Sequence, residues 1–166
     1  MRKLSWIIGL SALLTASVVS AAAPANFAGT WTLDKTKTQN LPRQWESAES
    51  IVLEIKQDAR QITLESKVAG SQFQPQPATY NLDGTESSME MQGRMPGKAI
   101  LKAAWSSDGN TLELTSKRSG TGPNGEFSFT TVEKLTLSDG GKVLTNVRHS
   151  ESPRGAQDST LVYVKK

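Results

Sequence analysis

From residue 29 onward the chain alternates apolar and polar side chains with a period of two. Ile51, Leu53 and Ile55 are interleaved with Val52, Glu54 and Lys56; Leu112 and Leu114 with Glu113 and Thr115; Phe127 and Phe129 with Ser128 and Thr130. Successive side chains of a strand point to opposite faces, so each such segment has one dry face and one wet face. The pattern predicts about ten strands, over residues 29–33, 50–57, 61–68, 77–82, 85–92, 98–105, 111–119, 126–137, 142–149 and 158–165.

Turn chemistry punctuates the pattern. Asp58-Ala59-Arg60, Asp83-Gly84, Asp108-Gly109, Gly122-Pro123-Asn124-Gly125 and Asp139-Gly140-Gly141 stand between consecutive segments, and residues of these types make tight reversals. The stretch from Trp105 to Leu112 echoes that from Leu137 to Leu144, one kind of hairpin corner used twice. Loops so short join antiparallel neighbours. The predicted fold is all-β, a single-domain antiparallel up-and-down meander of about eight to ten strands. Left open, such a sheet would expose apolar area and two edges, so it either closes into a barrel, the expected solution, or folds over as a sandwich. The one long segment without alternation runs over 34–50, where Pro42 opens a short helix carrying Leu41, Trp45 and Ala48 on one side. It would be a plug sealing one barrel end or a lid over its mouth.

The first 25 residues follow a different rule. Arg2 and Lys3 form a cationic head, Leu4 to Val19 an apolar run, and Ser20 to Ala23 with Ala25 a small-residue tail, the layout of a cleavable secretory signal. The apolar run is shorter than the roughly 20 residues that span a bilayer, and the chain behind it is polar, which argues against a retained anchor. Cleavage is expected among Ala21 to Ala25, at the A-x-A site Ala23-Pro24-Ala25 or after Ala22, leaving residues 26–166 as one extracytoplasmic domain.

Losing the leader changes the charge argument. The whole chain carries 19 Lys and Arg against 16 Asp and Glu, but Arg2 and Lys3 leave with the leader and no acid does, so 17 face 16 in the mature domain. With no basic run longer than Lys117-Arg118 or Lys165-Lys166, it lacks the clustered footprint that binds nucleic acid. There is no Cys, hence neither a disulfide framework nor a lipid-carrying thiol, and stability rests on a hydrophobic core. About 140 residues suffice for one such core.

Asn26-Phe27-Ala28-Gly29-Thr30-Trp31 sets a G-x-W at the start of the first strand of this meander. In that it resembles lipocalins and fatty-acid-binding proteins, the calycin group. The ending Tyr163-Val164-Lys165, with the repeated Asp-Gly corners, is also similar to a set of exported bacterial lipocalin-like proteins of unestablished function. The resemblance implies a lipocalin-like barrel in the periplasm or secreted from a bacterium. It implies that Trp31 closes the barrel base under a cationic side chain from a late strand, Lys165 or Arg148, and that the barrel encloses a ligand cavity.

If apolar parity marks the interior, Met89, Met91, Leu112, Leu114, Phe127, Phe129, Leu135 and Leu137 face it, and Arg118 and Glu133 share that parity. Charge is costly in a dry core, so either the lumen is wet and binds something polar or a bulge turns the two outward. The 137–144 corner decides a third residue. A two-residue Gly140-Gly141 turn pairs Leu137 with Leu144 and Glu133 with Arg148, placing an ion pair inside; a three-residue loop with a bulge turns Val143, Val147 and His149 inward instead. The candidate ligand site is therefore Arg118, Glu133 and Arg148 for a polar head, with Met89, Met91 and Phe129 for an apolar tail. The plainer reading sets the charges near the rims and treats Met and Phe as filling.

Catalytic motifs are absent or misplaced. Residues 120–125 spell G-x-G-x-x-G, but 126–132 alternate like a strand and offer no helix N-terminus to a pyrophosphate, so they read as a hairpin loop. His149 is the only histidine, which excludes a multi-His metal centre. No G-x-S-x-G or S-x-x-K follows the leader, and Glu86 and Glu90 read as a solvated face. No catalytic residue, metal or cofactor is expected. An outer-membrane barrel would need aromatic girdles, where this chain sets mixed charges such as Glu54, Lys56, Glu113 and Lys117. The expectation is a barrel that binds a small hydrophobic or amphipathic molecule and is no enzyme, not embedded in a membrane once cleaved. The alternative is an envelope protein-protein interaction or structural module with a filled barrel, in which Phe73 would anchor a partner or strap the rim.

Overall fold

The computed structural model describes residues 23–71, 74–93, 95–123 and 125–166. The expectations for the leader up to residue 22 and for Phe73 lie outside the described residues. The strands are β1 (Gly29–Leu33), β2 (Ser50–Gln57), β3 (Gln61–Ala69), β4 (Ala78–Asn81), β5 (Ser87–Met91), β6 (Gly97–Trp105), β7 (Thr111–Gly122), β8 (Gly125–Ser138), β9 (Val143–Ser152) and β10 (Gly155–Lys165), with one helical turn, α1 (Arg43–Glu46). They form one antiparallel sheet in the order β4-β3-β2-β1-β10-β9-β8-β7-β6-β5. First meets last, with Trp31 opposite Lys165 and Leu33 opposite Tyr163. The meander is thus an all-β barrel, and the sandwich alternative does not arise.

Closure is incomplete at one place. The Asp83-Gly84 corner was expected to join laddered neighbours, but β4 and β5 form no ladder. Local bonds take the groups a hairpin would use: Thr85 N–H donates to Asp83 Oδ1 at 2.9 Å and Asn81 Nδ2 to Thr85 Oγ1 at 3.1 Å. The seam is crossed instead by the Ser87 hydroxyl donating to the Thr79 carbonyl (2.7 Å) and by Gln92 N–H donating to Gln76 Oε1 (3.3 Å).

The ladders also run further than the alternation. β7 and β8 continue to Gly122 opposite Gly125, and β9 and β10 to Ser152 opposite Gly155. Residues 150–157 include no large apolar side chain, because this hairpin tip projects into water on both sides, so no dry face marks the strand. The 137–144 corner takes the register with Glu133 opposite Arg148 and Leu137 opposite Leu144. Its loop is wider than the two glycines, a 3₁₀ turn at Asp139–Gly141 closed by Lys142 N–H on the Ser138 carbonyl at 3.2 Å. Val147 and His149 consequently face out.

Inside, the residues at inward positions form a gradient from base to mouth. Going up β7 they read Leu112, Leu114, Ser116, Arg118; up β9, Leu144, Asn146, Arg148; and up β10, Tyr163, Leu161, Ser159. The apolar lower layers are fully buried. At the base Trp31 is completely enclosed, its indole N–H donating to the Phe27 carbonyl at 2.9 Å, with Lys165 Nζ 5.1 Å from the ring centre. Phe27 in turn stacks on Trp105 with centroids 6.0 Å apart. At the other end Pro42 precedes α1, Trp45 N–H closes the turn on the Pro42 carbonyl at 2.7 Å, and Lys35 Nζ donates to the Ala48 carbonyl. That seats Trp45 and Ala48, both buried, over the upper lumen.

Candidate functional site

Beneath α1 lies a cavity of about 120 Å³. Its apolar walls include Leu53, Leu64, Ala78 and Leu161; Trp45, Pro75 and Gln76 cover it; and Tyr80, Arg118, Glu133, Asn146, Arg148 and Tyr163 supply its polar groups. The three charged residues of the sequence-derived site are therefore brought onto one space. They come from three adjacent strands, β7, β8 and β9, at inward positions above the oily layers.

The expected ion pair does not form. Glu133 Oε1 accepts from Asn146 Nδ2 at 3.0 Å, while Arg148 Nε donates to Ser150 Oγ and Arg118 Nε to Ser116 Oγ, both at 3.2 Å. The salt bridges of the described residues lie elsewhere. Ser150 is one inward position nearer the mouth, so Arg148 turns toward water, where a guanidinium keeps its hydration instead of suffering desolvation against a buried carboxylate. Each arginine is held through Nε alone, and the terminal N–H fork of each has no described protein partner.

Met89, Met91 and Phe129 do not line this cavity. Cross-strand register puts Met89, Ala99, Arg118 and Phe129 in one row at the rim. Arg118 reaches from that row to Ser116, one inward position deeper, through its Nε bond, while Ala99 is fully enclosed in the core. Met89 and Met91 pack half-buried against the core edge, and Phe129 lies against Phe127 with centroids 5.4 Å apart.

The sequence reading missed Tyr80, Asn146 and Tyr163 as site residues and placed Trp45 on a segment that would be a plug or a lid, without naming it in the site. Asn146 shares the parity of Leu144 and Arg148, a signal that was open to reading once register was known. Its side chain is 3% exposed, Trp45 is 6% exposed, and both Asn146 Oδ1 and Trp45 Nε1 are buried with no hydrogen-bond partner. No described residue bonds the hydroxyl of Tyr80 or Tyr163. Burial, and after it the charge of Glu133, pushes both phenols well above their ordinary range, so they are neutral O–H groups. No cluster of three or more His, Asp or Glu among the described residues is arranged to hold a metal.

No family model and no curated protein matches the chain. Among solved structures the barrel is similar to zebrafish ileal bile acid-binding protein complexed with cholic acid, with a TM-score of 0.51 and 15% identity over 84% of this chain and 98% of that one. At that identity the likeness is one of fold: a calycin-like, ten-stranded, nearly closed barrel.

Proposed function

We propose that the chain is an exported binding barrel, and no enzyme, that takes a small amphipathic molecule with its apolar part against Leu53, Leu64 and Leu161 and its anionic head at Arg118 and Arg148. The observation that carries this is two guanidinium forks free of any described protein partner on one cavity whose single carboxylate, Glu133, is already engaged by Asn146. An apolar floor under excess positive charge suits an anion with a hydrophobic body. The similar barrel solved with cholic acid supplies a precedent for the fold, and the cationic head, apolar run and small-residue tail of residues 1–25 support export.

Calorimetric titration of the mature chain with aromatic and aliphatic carboxylates tests the site. Arg118→Ala and Arg148→Ala are expected to keep the wild-type thermal midpoint and to weaken binding by about tenfold or more, the size of a lost charged hydrogen bond. If wild type takes up no carboxylate, neutral lipid or dye, the filled-barrel interaction module replaces this reading. Export is checked by the intact mass of protein from the cell envelope; full-length protein confined to the cytoplasm would overturn it.

A further inference from the structure

Resting on that reading, we infer that the cavity selects a compact carboxylate that also carries a hydrogen-bond donor, such as a hydroxyl, at the end remote from the carboxylate, and that it excludes long-chain lipids. The amide of Asn146 decides the first part. A carboxylate only accepts, so the 3.0 Å contact to Glu133 must use Asn146 Nδ2, and this leaves Oδ1 as a fixed acceptor. That oxygen is buried and unpartnered. Trp45 Nε1, which only donates, is unpartnered on the same cavity. Unpaired buried polar atoms are costly and rare; a hydroxyl both donates and accepts, so its chemistry suits either kind of orphan.

Position and volume supply the rest. Asn146 and Arg148 are two residues apart on β9 and face the same way, roughly 6–7 Å apart along the strand, and the Arg148 side chain reaches on toward Ser150, so the acceptor lies well below the anion site. A rigid ring with the donor para to the carboxylate points along that line. The cavity of about 120 Å³ is smaller than the roughly 150 Å³ cavity known to take benzene and well under the roughly 300 Å³ at which ordinary ligand pockets begin. With its carboxylate left in the mouth, a single ring stands at the limit of that space; an extended acyl chain exceeds it. Glu133 is here a positioning residue, orienting Asn146.

The test titrates the mature chain with 4-hydroxybenzoate, 4-methoxybenzoate, benzoate and palmitate. Expected is 4-hydroxybenzoate binding about tenfold or more tighter than its methyl ether or benzoate, with palmitate weaker than any of them. Asn146→Leu removes the preference, and Trp45→Phe, which keeps the ring and deletes the N–H, reduces it. Glu133→Gln reduces it as well, because the amide is then free to rotate; thermal melts identify any variant that fails to fold, and the others then decide. Equal binding of the three benzoates overturns the inference. So does tight palmitate binding that depends on Arg118 but not on Asn146, which leaves the binding reading standing. Binding of none of the four overturns the inference, and the binding reading falls with it once the other carboxylates, neutral lipids and dyes are refused as well.

Discussion

At position 29 glycine meets two demands at once. Its φ is +144°, and a Cβ there would stand 2.9 Å from Lys165 Cε, the side chain that caps Trp31. Gly29→Ala is therefore expected to destabilise the barrel by about 1–3 kcal/mol through backbone strain and displacement of the lysine, measured by urea denaturation; a midpoint unchanged from wild type would refute that account. On the outer face, His149 Nδ1 lies 2.6 Å from Asp158 Oδ1 and Nε2 3.4 Å from Glu151 Oε1. The Asp158 bond first, then Glu151, raises the imidazole above its ordinary 6.5. A group raised in the folded state stabilises fully below its unfolded pKa and ceases to do so as pH climbs through the folded value. Amide exchange in the β9–β10 hairpin, corrected for intrinsic rates, should speed up on going from mildly acidic to alkaline pH in wild type and not in His149→Gln. Single residues were legible where parity placed them, as with Arg118 and Glu133, or where the G-x-W resemblance did, as with Trp31; Arg148 hung on the register of one corner. Asn146 and Tyr80 were not, because a site residue that is neutral stands out only after its register is known.

Hairpin corners act as units built on a carboxylate. At the β6–β7 corner Asp108 accepts from the Ser106 hydroxyl at 2.5 Å, from Asn110 N–H at 3.0 Å and from Asn110 Nδ2 at 3.1 Å, while Gly109 takes φ +69°. Asp58 repeats the device with the N–H groups of Arg60 and Gln61. The Ser106 bond, then those of Asn110, draw the Asp108 carboxyl from 3.8 down to about 2. A depressed carboxylate stabilises above its unfolded pKa and loses that contribution as pH falls through the folded one. Asp108→Ala should accordingly be less stable than wild type at neutral pH, with the gap closing between about pH 4 and pH 2 in chemical denaturation; a gap independent of pH would remove the carboxylate from the explanation. The β6–β7 corner could be read directly from its Asp-Gly pair and strand interiors from alternation, but the same pair at 83–84 misled, since no ladder joins β4 to β5. Strand ends could not: residues 150–157 are wet on both faces, so only the ladder itself, not a change of hydropathy, says where β9 stops and β10 starts.

For the molecule as a whole, the consequence of the topology is that stability is uneven around the wall. β1 and β10 share a ladder, and β7 with β8 and β9 with β10 are joined by the longest ones, but β4 and β5, of four and five residues, meet through side chains. The need for closure was legible in the sequence, since an open sheet would leave its edges bare. The seam was not, because it follows from Asp83, Thr85 and Asn81 bonding one another rather than from any break in the apolar pattern. Ser87 contributes the shortest bond across it, donated to a main-chain carbonyl that no ladder partner can reach. Ser87→Ala should cost about 1 kcal/mol, the net worth of one hydrogen bond, but its effect belongs to one side of the barrel. Hydrogen exchange is expected to accelerate for the amides of β4 and β5, with those of β8 and β9 keeping wild-type protection, because local opening of the weakest segment does not require global unfolding. Tyr80 and Ala78 sit on β4 and line the cavity, so the same substitution should raise the dissociation rate of a bound carboxylate more than it lowers the thermal midpoint. Uniform acceleration in every strand would show instead that the barrel opens only as a single unit and that the seam is no weaker than the ladders.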